Sequence, residues 1–300
     1  MNSIRTLLSG IVDYAGLFPP AGLEMDAAAR NYAQYRVGGD REFLGRFVVP
    51  AARLDEFSTA ARGILDRGET SIPWRLSVLA GDDVAAAREA ILEFNCSHSP
   101  GSKLGNAVCD SVEIHARREA DVTDAMREFP ASFRVFFEIT ADPEPAPLLG
   151  AVARNRASAK IRTGGVTEAS FPTSSQIVHF IAVCSGLGVS FKATAGLHHL
   201  LRSTYPLTYD TASACAMMFG YLNLFLTAAF IRNGMEEAKA GEVLEEQSLD
   251  TFSFSENGVS WRGHALTEAD LRATRSDLAL SFGSCSFREP VDEARALHLL

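Results

Sequence analysis

The chain is poor in cysteine, and no arrangement of its cysteines is suited to hold a metal. Its five cysteines (Cys96, Cys109, Cys184, Cys215 and Cys285) are scattered, odd in number and outside any CxxC or Cys/His spacing. That excludes a disulfide scaffold and a zinc-ribbon site, and reads as reduced thiols in a cytosolic protein. Clusters of Lys and Arg are also missing, and the formal net charge is −9. Neither nucleic acid nor an anionic membrane is therefore expected as a partner. The N-terminal Met-Asn-Ser-Ile-Arg-Thr-Leu-Leu lacks an apolar stretch of signal-peptide length, so a cytoplasmic location is expected. The most apolar stretch, residues 212–231, is interrupted by Ser213, Gly220, Tyr221, Asn223 and Thr227; it reads as a buried helix. No linker, internal repeat or low-complexity tract divides residues 1–300, which are expected to form a single domain.

Hydrophobic residues make up 47% of the chain and charged ones 22%, enough to bury a large core. Short apolar runs alternate with helical patterns. Strands are expected at residues 9–15, 45–50, 74–80, 111–115, 133–140, 157–162 and 189–194, with an eighth at 278–283. Helices are expected at 24–35, 54–65, 82–94 (capped by Asp82), 121–129, 145–154 and 173–186. Such repetition implies parallel βαβ units with right-handed crossovers. Eight of them predict an α/β fold, a (β/α)₈ barrel, which typically takes about 250 residues. An insertion at about 200–275 separates the seventh and eighth strands. It is expected to hold an apolar helix from about Ser213, a charged helix over 235–246, and a hairpin in which 251–254 and 259–261 flank Glu256-Asn257-Gly258.

Barrel chemistry sits at the C-terminal ends of the strands. The fourth strand ends with Glu113 and His115, and the fifth carries Glu138. The sixth offers Lys160 and Arg162, and the seventh Lys192 and Thr194, followed by His198 and His199. Residues two apart share a strand face. Charge at the inward position of four successive strands is too much for a packed core unless the groups are paired or functional. Thr163-Gly164-Gly165 and Gly283-Ser284-Cys285-Ser286 follow the sixth and eighth strands and are candidates to cradle an anion with backbone N–H groups. The loop from Asp13 to Pro20 follows the first strand. Asp13 and Tyr14 are placed to reach the pocket mouth and Phe18 to cover it; an ordinary Pro-Pro turn is the plainer alternative.

These residues resemble the class I deoxyribose-phosphate aldolases and their barrel relatives. The matching pieces are Val135-Phe-Phe-Glu-Ile139, Lys160-Ile-Arg-Thr-Gly-Gly165 and Phe191-Lys-Ala-Thr-Ala-Gly-Leu197, with Ser111-Val-Glu-Ile-His115 upstream; the likeness is clearest over residues 111–197. The resemblance implies that Lys160 is the Schiff-base lysine, Lys192 the lysine that perturbs it, and Glu113 the acidic residue that shuttles protons. The chain departs from the family in three places. Arg162 replaces a serine, Ala195-Gly-Leu-His-His199 replaces a phosphate-gripping Gly-Gly-Ile-Arg turn, and the counterpart of the family's eighth strand, Phe282-Gly-Ser-Cys-Ser286, lies far downstream. Those departures leave the substrate class open.

A free lysine, with a pKa near ~10.4, is mostly protonated at neutral pH and cannot attack a carbonyl. A neighbouring cation and burial depress it; Lys192 and Arg162 are the candidate cations. Glu113 or His115 would move the proton and Glu138 would orient a lysine. The expected activity is a lysine-dependent aldolase or lyase acting on a small carbonyl compound, with no organic cofactor and no metal; an anionic substrate and a homo-oligomer are left open. Three other readings stay open: Lys160 and Lys192 as structural links ion-paired to Glu113 and Glu138; a metal site built from His115, His198, His199, Glu113 and Glu138; and a non-catalytic assembly protein whose helix at 212–230 packs on a partner.

Overall fold

The computed structural model describes residues 2–141 and 144–300. Its strands are β1 (Val12–Tyr14), β2 (Leu44–Pro50), β3 (Trp74–Leu79), β4 (Ala107–His115), β5 (Arg134–Ile139), β6 (Ser158–Arg162), β7 (Phe191–Thr194), β8 (Ser203–Pro206), β9 (Cys215–Met218), β10 (Phe252–Phe254), β11 (Gly258–Trp261), β12 (His264–Thr267) and β13 (Ala279–Ser284). Strands β1 to β7 pair in sequence order, and β13 joins β7 back to β1, closing a parallel barrel of eight strands. The helices are α1 (Asn2–Leu8), α2 (Met25–Val37), α3 (Leu54–Ala60), α4 (Val84–Ser97), α5 (Glu119–Glu128), α6 (Ala146–Arg154), α7 (Ser174–Leu187), α8 (Tyr221–Arg232), α9 (Glu237–Leu244), α10 (Glu268–Asp277) and α11 (Arg288–Ala296). The expected (β/α)₈ architecture is present.

Strand alternation separates two interiors. Outward side chains such as Tyr14, Phe47 and Phe282 stack with rings from the surrounding layer: Tyr32 on α2 meets both Tyr14 and Phe47, and Tyr221 on α8 stacks on Phe282 at 5.1 Å. The barrel lumen is polar. Near its N-terminal end Arg46 forks onto Asp110 at 2.6 and 3.1 Å, and Arg75 adds a third bond at 2.7 Å. Arg275 caps the same end by donating to the carbonyls of Leu7, Ser9, Ala279 and Leu280. Polar bonding at the base and ion pairs higher up replace the apolar layers that usually fill such barrels.

The segment between β7 and β13 differs from its reading in the sequence. The apolar helix begins at Tyr221, not near Ser213. Residues 215–218 alternate exposed and buried and pair antiparallel with 203–206, a period of two where a helix needs 3.6. Only the distant partner strand decides between them. The turn at Asn257-Gly258 does join two strands, but a third, β12, completes the sheet. Helix α8 is buried on nearly every face. Its Asn223 is pinned by donating to the carbonyls of Val243 and Glu246 and accepting from the Arg202 N–H, so one fully bonded buried amide ties three parts of the insertion together. Two smaller corrections apply: α1 had no periodicity to reveal it, and Asp83 rather than Asp82 caps α4 by accepting from Ala86 N at 2.9 Å; His98, just past α4, is buried against Phe94. Among the described residues no helix is long and apolar enough to cross a membrane.

Candidate active site

Glu138, Lys160 and Lys192 are register partners on β5, β6 and β7. Neighbouring strands run about 4.8 Å apart, so a shared inward register stacks the three side chains side by side. Glu113 on β4, whose register partner is Phe136, stands one inward position lower and reaches the same amines. Lys160 Nζ lies 2.6 Å from Glu113 Oε2 and 2.8 Å from Glu138 Oε2. Lys192 Nζ lies 2.7 Å from Glu113 Oε1 and 2.6 Å from Asp13 Oδ2. One carboxylate therefore bridges both ammoniums, and each ammonium has a second carboxylate of its own. Secondary bonds fix the carboxylates: Ser77 donates to Glu113 at 2.7 Å, Ser281 donates to Asp13 at 2.8 Å, and the Arg46 backbone N–H donates to Asp13 at 2.8 Å.

Asp13, Glu113, Lys160 and Lys192 are all at least 95% buried. Burial alone would raise the Glu113 pKa, but the two lysines overcome it and hold the carboxyl well below its ordinary value. Burial opposes the charge on Lys192, yet Asp13 and Glu113 outweigh it and raise its pKa. Both shifts favour the ionised pair. Lys192 is thus a fixed cation whose charge is spent on two carboxylates. It is not the bare neighbouring cation that the lysine pair in the sequence suggested.

Above this row opens a cavity of about 640 Å³, a volume suited to a small ligand. Glu113, Glu138, Lys160 and Lys192 form its floor, and Arg162, Thr194 and Gly283 part of its wall. Phe18 and the turn after it, with Tyr209 from the β8–β9 connection, stand over it. Arg162 is half exposed and lies 3.7 Å from Glu138. His198 and His199 face the cavity as well. His199 stacks on Tyr205 at 3.4 Å and approaches Glu293. His198 Nδ1 contacts Glu289 at 3.2 Å and Cys285 Sγ at 3.9 Å. Burial disfavours the charged imidazole, but those two contacts prevail and push its pKa up to about 9. An NMR titration should find His198 half-protonated near that pH, and Glu289→Gln should bring the midpoint down toward ~6.5.

Several residues chosen from the sequence lie elsewhere. Asp13 does not reach the pocket mouth: it is inside the lumen beneath Lys192, because β1 turns Val12 and Tyr14 outward and Asp13 inward. Tyr14 packs among the outer rings. His115, at the end of β4, is exposed and borders a surface groove with Arg117 and Arg118. It still pairs with Glu138 as the last residue of β4, but its side chain is not held on the inner face as that of Glu113 is. Thr163 is buried and donates to the Ala195 carbonyl at 2.7 Å. Ser284 accepts from the Ser286 N–H, and the Ser286 hydroxyl accepts from the Glu289 N–H at the start of α11. These three hydroxyls tie turns together and do not line the cavity. Of the glycine turn, Gly165 lines it, whereas Gly164 packs under Phe171. Glu289, Tyr209 and Cys285 were not singled out as site residues; they come together only through the long β7–β13 connection.

The two turns press together. Gly196 has φ of +70°, and a Cβ there would stand 2.8 Å from Gly164 Cα. Backbone cannot yield as a side chain can, so Gly196→Ala should cost roughly 1–3 kcal/mol, measurable by chemical denaturation.

The donor set for the metal alternative is not assembled, and among the described residues no group of three or more His, Cys, Asp or Glu is arranged to hold a metal ion. The chain matches no protein-family model and no curated protein.

Proposed function

We propose that the protein is a Schiff-base lyase of the aldolase type, with Lys160 as the nucleophile and a small aldehyde or ketone as substrate. The observation that carries this reading is the Lys160 amine, held between two carboxylates on the floor of the cavity. Composition supports it. The chain has only four lysines, Lys103, Lys160, Lys192 and Lys239, and two of them are inside the barrel. Arginine serves as the plain cation almost everywhere else, and arginine cannot be deprotonated to attack a carbonyl.

For attack, Lys160 must lose a proton. Glu138 is the partly exposed carboxylate beside it, whereas Glu113 is held ionised. The proton passes to Glu138, the amine lone pair forms a C–N bond as the carbonyl π pair moves to oxygen, and that oxygen leaves as water with a second proton from the nitrogen and the one returned by Glu138. The resulting iminium carries the same charge as the ammonium it replaces, so Glu113 and Glu138 neutralise both. The iminium accepts the electron pair of the Cα–Cβ bond as that bond breaks, while the β-hydroxyl gives its proton to Glu138 and its oxygen pair closes the C=O of the departing aldehyde. Glu138 returns that proton to Cα of the enamine, and water hydrolyses the imine to restore the amine. The resemblance implies Glu113 for this shuttle, but its two lysines hold it ionised.

A structural-link reading has the same ion pairs in its favour. It gives no account of the cavity opening onto the paired lysines. Borohydride trapping separates the two. With a panel of small aldehydes and ketones, a reduced adduct should map to Lys160 and not to the exposed Lys103 or the half-buried Lys239. An intact protein with no adduct on Lys160 across the panel would leave the structural reading standing alone.

A further inference from the structure

The wall of the cavity carries a cluster that imine chemistry does not use. Cys285 follows β13, His198 follows β7, Glu289 lies on α11, and Tyr209 comes from the β8–β9 connection. Cys285 Sγ is 3.9 Å from His198 Nδ1 and 3.5 Å from the Tyr209 hydroxyl. Tyr209 donates to Glu289 at 3.1 Å, and Glu289 also holds His198 Nδ1. A thiol, an imidazole within reach of it and a carboxylate that orients the imidazole are the parts of an activated sulfur nucleophile. Here one imidazole nitrogen faces both sulfur and carboxylate, and a tyrosine hydroxyl provides a second polar contact to the sulfur.

The other cysteines provide the contrast. Cys109 and Cys184 are buried in the hydrophobic core, where burial pushes their thiols far up from the ordinary value. Cys96 and Cys215 are exposed. Cys285 is 5% exposed, but it borders the cavity together with the three groups around it.

We infer that Cys285 is a second nucleophile of this cavity, assisted by His198, and that it takes an aldehyde as a reversible thiohemiacetal. Sulfur reacts as the thiolate paired with the His198 imidazolium. Sulfur supplies the pair for the new S–C bond, the carbonyl π pair moves to oxygen, and that oxygen takes the proton from the imidazolium. The net change is addition of S–H across C=O, with no oxidant, reductant or co-reactant. This step requires the cavity but not imine formation at Lys160.

Alkylation of the native full-length protein by iodoacetamide, followed over time by peptide mass mapping, tests it. Cys285 should react at least about tenfold faster than Cys96 and Cys215. His198→Gln should slow Cys285 by on the order of tenfold while leaving Cys96 unchanged. Cys109 and Cys184 should stay unmodified, which monitors the fold in every variant. Propanal should protect Cys285 in Lys160→Arg and in Lys160→Met, neither of which forms an imine at that position. A Cys285 rate unchanged by His198→Gln, or no faster than at the exposed cysteines, overturns the activation. Protection by propanal in the parent protein but in neither folded Lys160 variant overturns the thiohemiacetal. Protection in those variants, with no borohydride adduct on Lys160 in the parent, would keep this inference and sink the imine reading.

Discussion

Lys160→Met should abolish the borohydride-trapped adduct and lower turnover by on the order of 10⁴-fold or more, the scale on which removal of a covalent nucleophile acts. The substitution also removes the shared partner of Glu113 and Glu138, so part of any loss could be structural. The two carboxylates are not left equally exposed to that loss. Glu113 keeps Lys192 and Ser77, and Glu138 has Arg162 within 3.7 Å and contact with the cavity. Lys160→Arg separates the effects. A guanidinium restores the positive charge and its hydrogen bonds but forms no imine. Both variants should lose the adduct, and the arginine variant should keep more of the stability. If the arginine variant retains turnover, Lys160 acts as a cation and the covalent mechanism is wrong. The assay reads incorporation of reduced carbonyl by mass, and needs no knowledge of the natural substrate.

The barrel was legible because two periodicities alternate along the chain, and because β4 to β7 each break an apolar run with an inward charge. Lys160, Lys192, Glu113 and Glu138 stand out for that reason: a charge flanked by Ala, Ile, Phe or Val has to point away from the helices. Asp13 obeys the same rule on β1, since Val12 and Tyr14 flank it, but a strand of three residues is too short to display a period. The ion-pair pattern was not legible. Spacing puts two lysines on adjacent strands, but whether one perturbs the other depends on carboxylates from β1 and β4, whose place beside them follows from barrel closure. The Cys285 cluster was hidden for the same cause: its members come from four separate segments. His115 shows the opposite failure. It still pairs with Glu138, yet as the last residue of β4 its side chain lies exposed at the groove, so spacing alone does not fix a face at a strand's end.

Glu113→Gln should cost about 3–5 kcal/mol, the range seen when a buried ion pair loses one partner. Against a total of about 5–15 kcal/mol for a folded domain, that endangers the fold. The amide is nearly the same shape as the carboxylate but opposite in function at one end. Glu113 Oε2 accepts from Lys160, and Oε1 accepts from both Lys192 and Ser77. A glutamine oxygen can keep one of these sides, whereas its NH₂ must meet a donor on the other. Two buried ammoniums then share a site from which the bridging negative charge is gone. The pH dependence should change in a defined direction. In the parent protein the folded-state pKa of Glu113 is depressed, so its stabilising contribution is fully present above the unfolded value near ~4.3 and fades as pH falls toward the folded value. Lys192 has a raised pKa, so its contribution is present below ~10.4 and is lost as pH rises through the folded value. Chemical denaturation of the parent should therefore show a stability plateau attributable to these groups between roughly pH 5 and 10. The Glu113→Gln protein should start lower and fall less steeply in acid, because the group that titrates there is absent. An acid limb of unchanged slope would mean that Glu113 is not the carboxylate on which the buried lysines depend.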